Sequence, residues 1–510
     1  MSSYAKKLAY GSALGVANHF ATIVIALFLM PFVVSSLGDR MYGFWTLASA
    51  FIGYYGLLDF GLSSAVARYI AGAIGAGDKE ECNRIIGNSF FIFSCIALLV
   101  LIITLVLILI APVFFGNPAD ASLFRKVILV LGVNIAVGFP VKVHKGILTA
   151  QLRFEMLALI RFVSLITRAA STVIVLVMGY KILALALVTF ASCLLEYVLY
   201  VHFARKSLPG FEIRISDCSP GTARSLFSYG SHAFVIRIAD EMRFNIDVFV
   251  ISAFVGLSAV THYRVASTLV QHFIQLILTT MGVLLPFFSR LDGERNDEKI
   301  RETWFFSTRL SVILTGFVGF GLIAWGRPFI ERWMGPQYLD AYPCLVVLVL
   351  GCITDLGQAP TVTLLYGIAK HKFYSVFNTL EAVCNVLLSL LLVGRYGILG
   401  VAIGTFVPMA VMKILIQPVY ACRVTKIPYR DYVKTISRTV FMVALALLLP
   451  AAVTARLAKP DYLSLTGVGI LSMAGFLLFL WIFEFNRSEK ETILKLLSRR
   501  SLPDAAVGGR

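Results

Sequence analysis

About fourteen stretches of this chain are long and apolar enough to cross a lipid bilayer, and that constrains every other reading of it. They lie near residues 10–34, 41–66, 85–115, 123–148, 156–179, 182–204, 225–254, 259–288, 303–325, 341–367, 374–393, 397–421, 434–455 and 462–485. A spanning helix needs about 20 such residues. The runs also lack the two-residue alternation of membrane barrel strands. A helix satisfies its own backbone polar groups in hydrocarbon, so the expected fold is an all-α polytopic membrane protein. The residues are 58% hydrophobic and only 14% charged, with a mean hydropathy of +0.84, a composition no soluble domain of this length would tolerate. The connections are short and leave no room for a soluble domain, so the chemistry is expected within the bilayer.

A net charge of +17 could point to nucleic acid, but its distribution points to topology. Basic residues collect on alternate connections: Lys6 and Lys7, then Arg68, Lys79 and Arg84, then Lys142, Lys145 and Arg153, and so on to a basic tail from Arg487. The intervening connections carry fewer, such as Arg40, Lys181 and Arg395. By the positive-inside rule, both termini are expected in the cytoplasm. The first run follows Lys6 and Lys7 but is longer than a signal-peptide core, and reads as an uncleaved first helix. Eight cysteines without a CxxC pair and seven scattered histidines predict neither a disulfide framework nor a metal site. No GxxxxGK[ST] sequence marks an ATP-driven exporter. External loops are too short for a membrane glycosyltransferase or polymerase, and no nucleophilic or metal constellation appears. A non-enzymatic protein without a cofactor is expected.

The chain also resembles itself. "YKILALALVTF" from Tyr180 to Phe190 matches "YGILGVAIGTF" from Tyr396 to Phe406 without a gap, and Tyr42 and Gly61 share one offset from Tyr263 and Gly282. Two copies of a six-helix unit follow, with boundaries at 1–210 and 211–430, an added helix pair at 431–486 and a basic tail at 487–510. An even number of spans per copy inserts both copies the same way up, giving two parallel bundles with an expected substrate site between them.

The segment "LGDRMYGFWTLASAFIGYYGLLDFGLSSAVARYIAG" from Leu37 to Gly72 resembles the amino-terminal signature of the polysaccharide-transporter family. That family, which includes the Wzx-type O-antigen flippases, belongs to the multidrug/oligosaccharidyl-lipid/polysaccharide superfamily. The features concerned are Leu37-Gly38, Tyr42-Gly43 and the run Leu57 to Leu62; "VISAFVGLSAVTHYRVASTLV" and "LLPFFSRL" are similar as well. The resemblance implies a flippase that moves undecaprenyl-diphosphate-linked oligosaccharide from the cytoplasmic to the periplasmic leaflet of a bacterial inner membrane. It implies a lipid-linked oligosaccharide as the ligand, and a polysaccharide polymerase or chain-length regulator as a partner. Lipid II flippases, which also have fourteen helices, and cation-coupled multidrug antiporters of the same superfamily are the competing expectations.

Six basic residues remain inside the spans: Arg161, Arg168, Arg237, Arg243, Arg264 and Lys413. Guanidinium groups present several donors in a fixed fork, which suits the diphosphate that the resemblance implies. Arg161 and Arg168, seven apart, share a helix face, as do Arg264, Gln271 and Gln275. Amides of this kind suit sugar hydroxyls, or serve as interhelical glue. Asn378, Glu381 and Asn385 repeat the pattern. Acids also lie within spans: Asp59, Glu196, Asp240, Glu241, Asp247, Asp355 and Glu381. Of these Asp59, Asp240, Asp247 and Glu381 are the candidates for ion coupling or gating. In "RIADEMRFNID" the charges could pair along one helix, Arg237 with Asp240 or Glu241 and Arg243 with Asp247, or face a hydrated cavity.

Overall fold

The computed structural model describes residues 3–213, 221, 245–282, 284–370, 372–454, 461–484 and 490. Among them there is no strand. The helices run in chain order: α1 (Ser3–Leu37), α2 (Asp39–Tyr54), α3 (Leu62–Ala76), α4 (Lys79–Phe114), α5 (Pro118–Ala150), α6 (Phe154–Val177) and α7 (Ile182–Ser207). Then come α8 (Asn245–Phe254), α9 (Leu257–Met281), α10 (Leu284–Gly293), α11 (Asp297–Trp333), α12 (Ala341–Gly357) and α13 (Ala359–Gly367). The last are α14 (Lys372–Val411), α15 (Gln417–Thr425), α16 (Tyr429–Thr454) and α17 (Tyr462–Phe483). Eleven helical stretches in the described residues are long and apolar enough to span a membrane. One of them, Phe373–Thr425, holds two of the predicted runs, and the chain leaves helical geometry between them at Gly397 (φ 56°, ψ −135°). The run at 434–455 is α16, and of the run at 225–254 the described part is α8.

Local chemistry sets the short turns. Asp78 caps α4 by accepting from the Glu81 amide, Asn117 caps α5 just before Pro118, and Asn296 and Asp461 do the same for α11 and α17. Each side-chain oxygen satisfies an amide that has no partner within its helix. The exposed side chains of α4 include Leu98, Ile102, Leu105, Leu109 and Val113, a stripe at helical spacing. A face this greasy is stable against hydrocarbon, as a multi-pass membrane protein requires.

The chain forms two compact units, 1–263 with 378–401, and 264–377 with 402–510. In the first, α5 packs against α3, α4 and α7, and α6 packs against α1 and α7. Its core is built on Phe93, Phe139, Val143, Ile147 and Ile160, all at most 1% exposed. In the second, α11 packs against α12 and α16, and α17 packs on α16. There Trp304 and Phe288 anchor one cluster, and Val443, Leu447 and Leu480 another.

The second predicted run is interrupted. After α2 the chain tightens into a 3-10 turn from Tyr55 to Asp59, and Phe60 (φ 48°) and Gly61 (φ 72°) then take left-handed conformations before α3 begins. Gly61 has no Cβ to resist that geometry, whereas Phe60 is strained by it. The run Leu57 to Leu62 therefore encodes a break, and the break puts Asp59 beside the free amides that open α3.

Candidate functional site

Among the described residues the first unit holds the half-buried ion pair Asp59–Lys142, and the second holds Asp355–Lys413 and Arg309–Glu484. In the first unit Asp59 Oδ1 accepts from the Ser63 amide at 3.0 Å and Oδ2 from the Ser63 hydroxyl at 2.6 Å. Lys142 reaches the same Oδ2 from α5 at 2.5 Å, and its Nζ lies 4.0 Å from the centroid of the Phe139 ring. The carboxylate thus serves a helix start and a lysine together, with an aromatic face completing the ammonium's surroundings.

Beside this pair a cavity of about 190 Å³ opens between the 3-10 turn, α5 and α7, lined by Tyr55, Phe139, Lys142, Lys145, Glu196, Tyr197 and Tyr200 among others. Two of its three tyrosine hydroxyls are committed. Tyr55 shares a hydrogen bond with Thr104 at 2.9 Å, and Tyr197 donates to the Asn134 carbonyl at 3.2 Å. Gly138 makes the second bond feasible, since a Cβ there would come within 2.4 Å of the Tyr197 oxygen. The Tyr200 hydroxyl is buried and makes no close hydrogen bond.

In the second unit, the chain widens into a π-turn from Met412 to Ile416, and Lys413 sits on it, 2% exposed. Its Nζ lies 3.0 Å from Asp355 Oδ1 at the end of α12 and 5.0 Å from the centroid of the Tyr374 ring. Such π-turns commonly occur at functional positions. A chain of buried hydrogen bonds also lies in this unit: Trp304 donates to Thr361 at 2.9 Å, Thr361 to Gln358 at 2.8 Å, and Gln358 to Tyr432 at 2.6 Å. Trp304 and Tyr432 stack with centroids 5.1 Å apart, so this network is rigid as well as polar.

The predicted residues distribute as follows. Arg161 and Arg168 are both exposed on α6, and Arg161 lies within electrostatic reach of Lys145 and Tyr200 at the cavity. Arg264 donates to Gln271 at 3.2 Å, which joins two members of the predicted stripe, while Gln275 is exposed farther along α9. Asp59, Asp247, Glu381 and Lys413 are all buried, and Asp247 accepts from the Tyr263 hydroxyl. Asn378 and Asn385 are buried on α14 with Glu381. Arg237, Asp240, Glu241 and Arg243 lie outside the described residues.

Sequence reasoning missed the cavity. The charge pattern assigns Lys142 and Lys145 to an inner connection, yet both belong to α5, and Tyr55, Tyr197 and Tyr200 look like ordinary aromatic residues of apolar runs. The available signal was spacing. Lys142 and Lys145 are three apart, as are Tyr197 and Tyr200, and Glu196 and Tyr200 are four apart, so each helix carries one polar stripe.

Comparison with known proteins agrees with this architecture. The model of the family described as polysaccharide biosynthesis protein matches residues 37–343. Among relatives, a membrane protein called EpsK from Bacillus subtilis (strain 168) is 22% identical over 93% of this chain and 95% of its own. A putative O-antigen transporter from Shigella flexneri is 22% identical over 78% of this chain and 94% of its own. Among solved structures, the lipid II flippase MurJ superposes with a TM-score of 0.71 at 16% identity, over 94% of this chain and 99% of that one, a likeness of fold.

Proposed function

The chain belongs to the polysaccharide biosynthesis protein family, within the multidrug/oligosaccharidyl-lipid/polysaccharide superfamily, and from that premise we propose that it is a flippase for a lipid-linked oligosaccharide. The observation that carries the proposal is the presence of two ion pairs, Asp59–Lys142 and Asp355–Lys413, held inside helices of spanning length. Ionisable groups within spanning helices are expensive, which supports a path there for a polar substrate or a coupling ion. Arg161, Arg168, Arg237, Arg243, Arg264 and Lys413 would meet the diphosphate, Gln271 and Gln275 the sugars, and Asp59, Asp240, Asp247 and Glu381 would couple or gate the movement. The substrate would pass from the cytoplasmic to the periplasmic leaflet by alternating access between two six-helix bundles. A polymerase or chain-length regulator would take it from there.

The test uses cells in which the chain can be depleted and lipid-linked glycan labelled in both leaflets. Depletion should leave the glycan at normal amount but closed to a membrane-impermeant periodate label in spheroplasts. Re-expression of the wild type should reopen it. Alanine at Arg161, Arg168, Arg237 or Arg264 should slow that recovery more than lysine does at matched expression, because lysine keeps the charge and loses only the fork. Full recovery with all the alanine variants would remove the arginines from the substrate path.

A further inference from the structure

The cavity in the first unit is not explained by a diphosphate path, and its lining is specific enough to name an occupant. We infer that it is a subsite for a single pyranose ring of the glycan, a neutral polyhydroxyl ring in preference to a phosphate or a metal ion. This inference rests on the flippase reading for its physiological meaning but not for its chemistry.

Size comes first. A cavity of about 190 Å³ is of a size that one six-membered sugar ring can enter. Surface comes second. Tyr55, Phe139, Tyr197 and Tyr200 line the cavity, an apolar aromatic wall with a few convergent polar groups that suits the C–H side of a pyranose.

Polar groups then decide the class. Lys142 is neutralised by Asp59, and Tyr55 and Tyr197 are bonded to Thr104 and Asn134, so the groups left for a ligand are Lys145, Glu196 and the Tyr200 hydroxyl. Neither Lys145 nor Glu196 has an oppositely charged partner within 4 Å among the described residues, although each feels the other's charge. Tyr200 is 4% exposed and its hydroxyl makes no close hydrogen bond, with Glu196 and Arg161 the polar groups beside it, so a ligand that bridges to them would relieve its cost. Lys145 with Arg161 beside it, the Glu196 carboxylate and one hydroxyl need a ligand that donates and accepts in the same small space. Sugar hydroxyls do both. A doubly esterified diphosphate only accepts, and any phosphate would set its negative charge against the Glu196 carboxylate, while a metal ion would meet the Lys145 ammonium.

Position fits a substrate entering from the basic side of the chain. Lys142 and Lys145 lie in the last third of α5 and Tyr200 in the last third of α7, with Glu196 one turn before it, toward the ends that lead to Arg153, Arg205 and Lys206. By the positive-inside rule that side is the cytoplasmic one, from which the flippase reading takes its substrate.

The experiment uses the full chain in lipid nanodiscs and saturation-transfer NMR with methyl β-glucopyranoside, methyl N-acetyl-β-glucosaminide and methyl galactopyranosides as probes. At least one should receive saturation on its ring protons and keep it in excess inorganic phosphate. Tyr200→Phe removes one oxygen from a buried ring and should weaken that probe about fivefold, the loss of one hydrogen bond. Glu196→Gln, which keeps the shape, should weaken it at least as much. Absence of saturation for every glycoside, displacement by phosphate, or unchanged affinity in both variants would overturn the subsite. Export measured in cells as above separates this failure from failure of the flippase reading: a working flippase without glycoside saturation loses the subsite alone, and glycoside binding without export retains it.

Discussion

Asp59 is bound from two directions, and this makes it the most informative single residue. Its carboxylate caps α3 through Ser63 and holds the Lys142 ammonium from α5. Replacing Asp59 with asparagine leaves a lysine without its counter-charge in a low-dielectric setting, at a cost on the order of 3 kcal/mol. Asp59→Asn should therefore lower the thermal midpoint of the detergent-purified protein. Adding Lys142→Met should recover much of the loss, because the unpaired charge is then gone, and a double variant as unstable as the single one would show that the pair is not the cause. The same logic applies to Lys413, which is 2% exposed and sits 3.0 Å from Asp355. Lys413→Met should destabilise more than Lys413→Met with Asp355→Asn, as read by the same midpoint. These residues were legible from sequence as charges within or beside spans. Their partners were not, because Asp59 meets Lys142, and Asp355 meets Lys413, only when distant helices pack, and pairing by spacing can see neighbours on one helix alone.

At the scale of elements, the breaks are where sequence and structure inform each other best. The run from Leu57 to Leu62 resembled a family signature before it had a shape, and the structure explains it as a 3-10 turn, a strained Phe60 and a left-handed Gly61 that aim a helix start at Asp59. Apolar runs and their approximate ends were legible because bilayer length sets them. Interruptions inside a run were less so, since a 3-10 turn or a π-turn changes no hydropathy. The α5–α7 contact depends on a close approach that hydropathy also hides: a methyl at Gly138 would sit 2.4 Å from the Tyr197 oxygen. Gly138→Ala should therefore push Tyr197 off the Asn134 carbonyl and cost about 1–3 kcal/mol, a typical price of overpacking. A thermal midpoint equal to wild type would mean that α5 and α7 can part without loss.

At the scale of the whole molecule, composition alone settled the class, since a chain that is 58% hydrophobic with runs of spanning length has one solvent open to it. Family membership and the fold agree with that conclusion, whereas direction and substrate rest on the charges inside the spans and on their test. Topology offers an independent check. Cysteines placed singly at position 293 and at 510 should react with impermeant maleimide only after the membrane is opened, because both lie in basic segments that the positive-inside rule assigns to the cytoplasm. The central claim, that a glycan on a lipid carrier crosses the bilayer through this protein, is tested most directly with the purified chain in liposomes carrying fluorescently labelled undecaprenyl-diphosphate oligosaccharide. Dithionite added outside should bleach only the outer half of the label in empty liposomes and well beyond half in those holding the wild-type chain, with Asp59→Asn/Lys142→Met and Arg161→Ala forms falling between. Bleaching that stops at half with well-folded wild-type protein, under an imposed proton or sodium gradient as well as without one, would contradict the account.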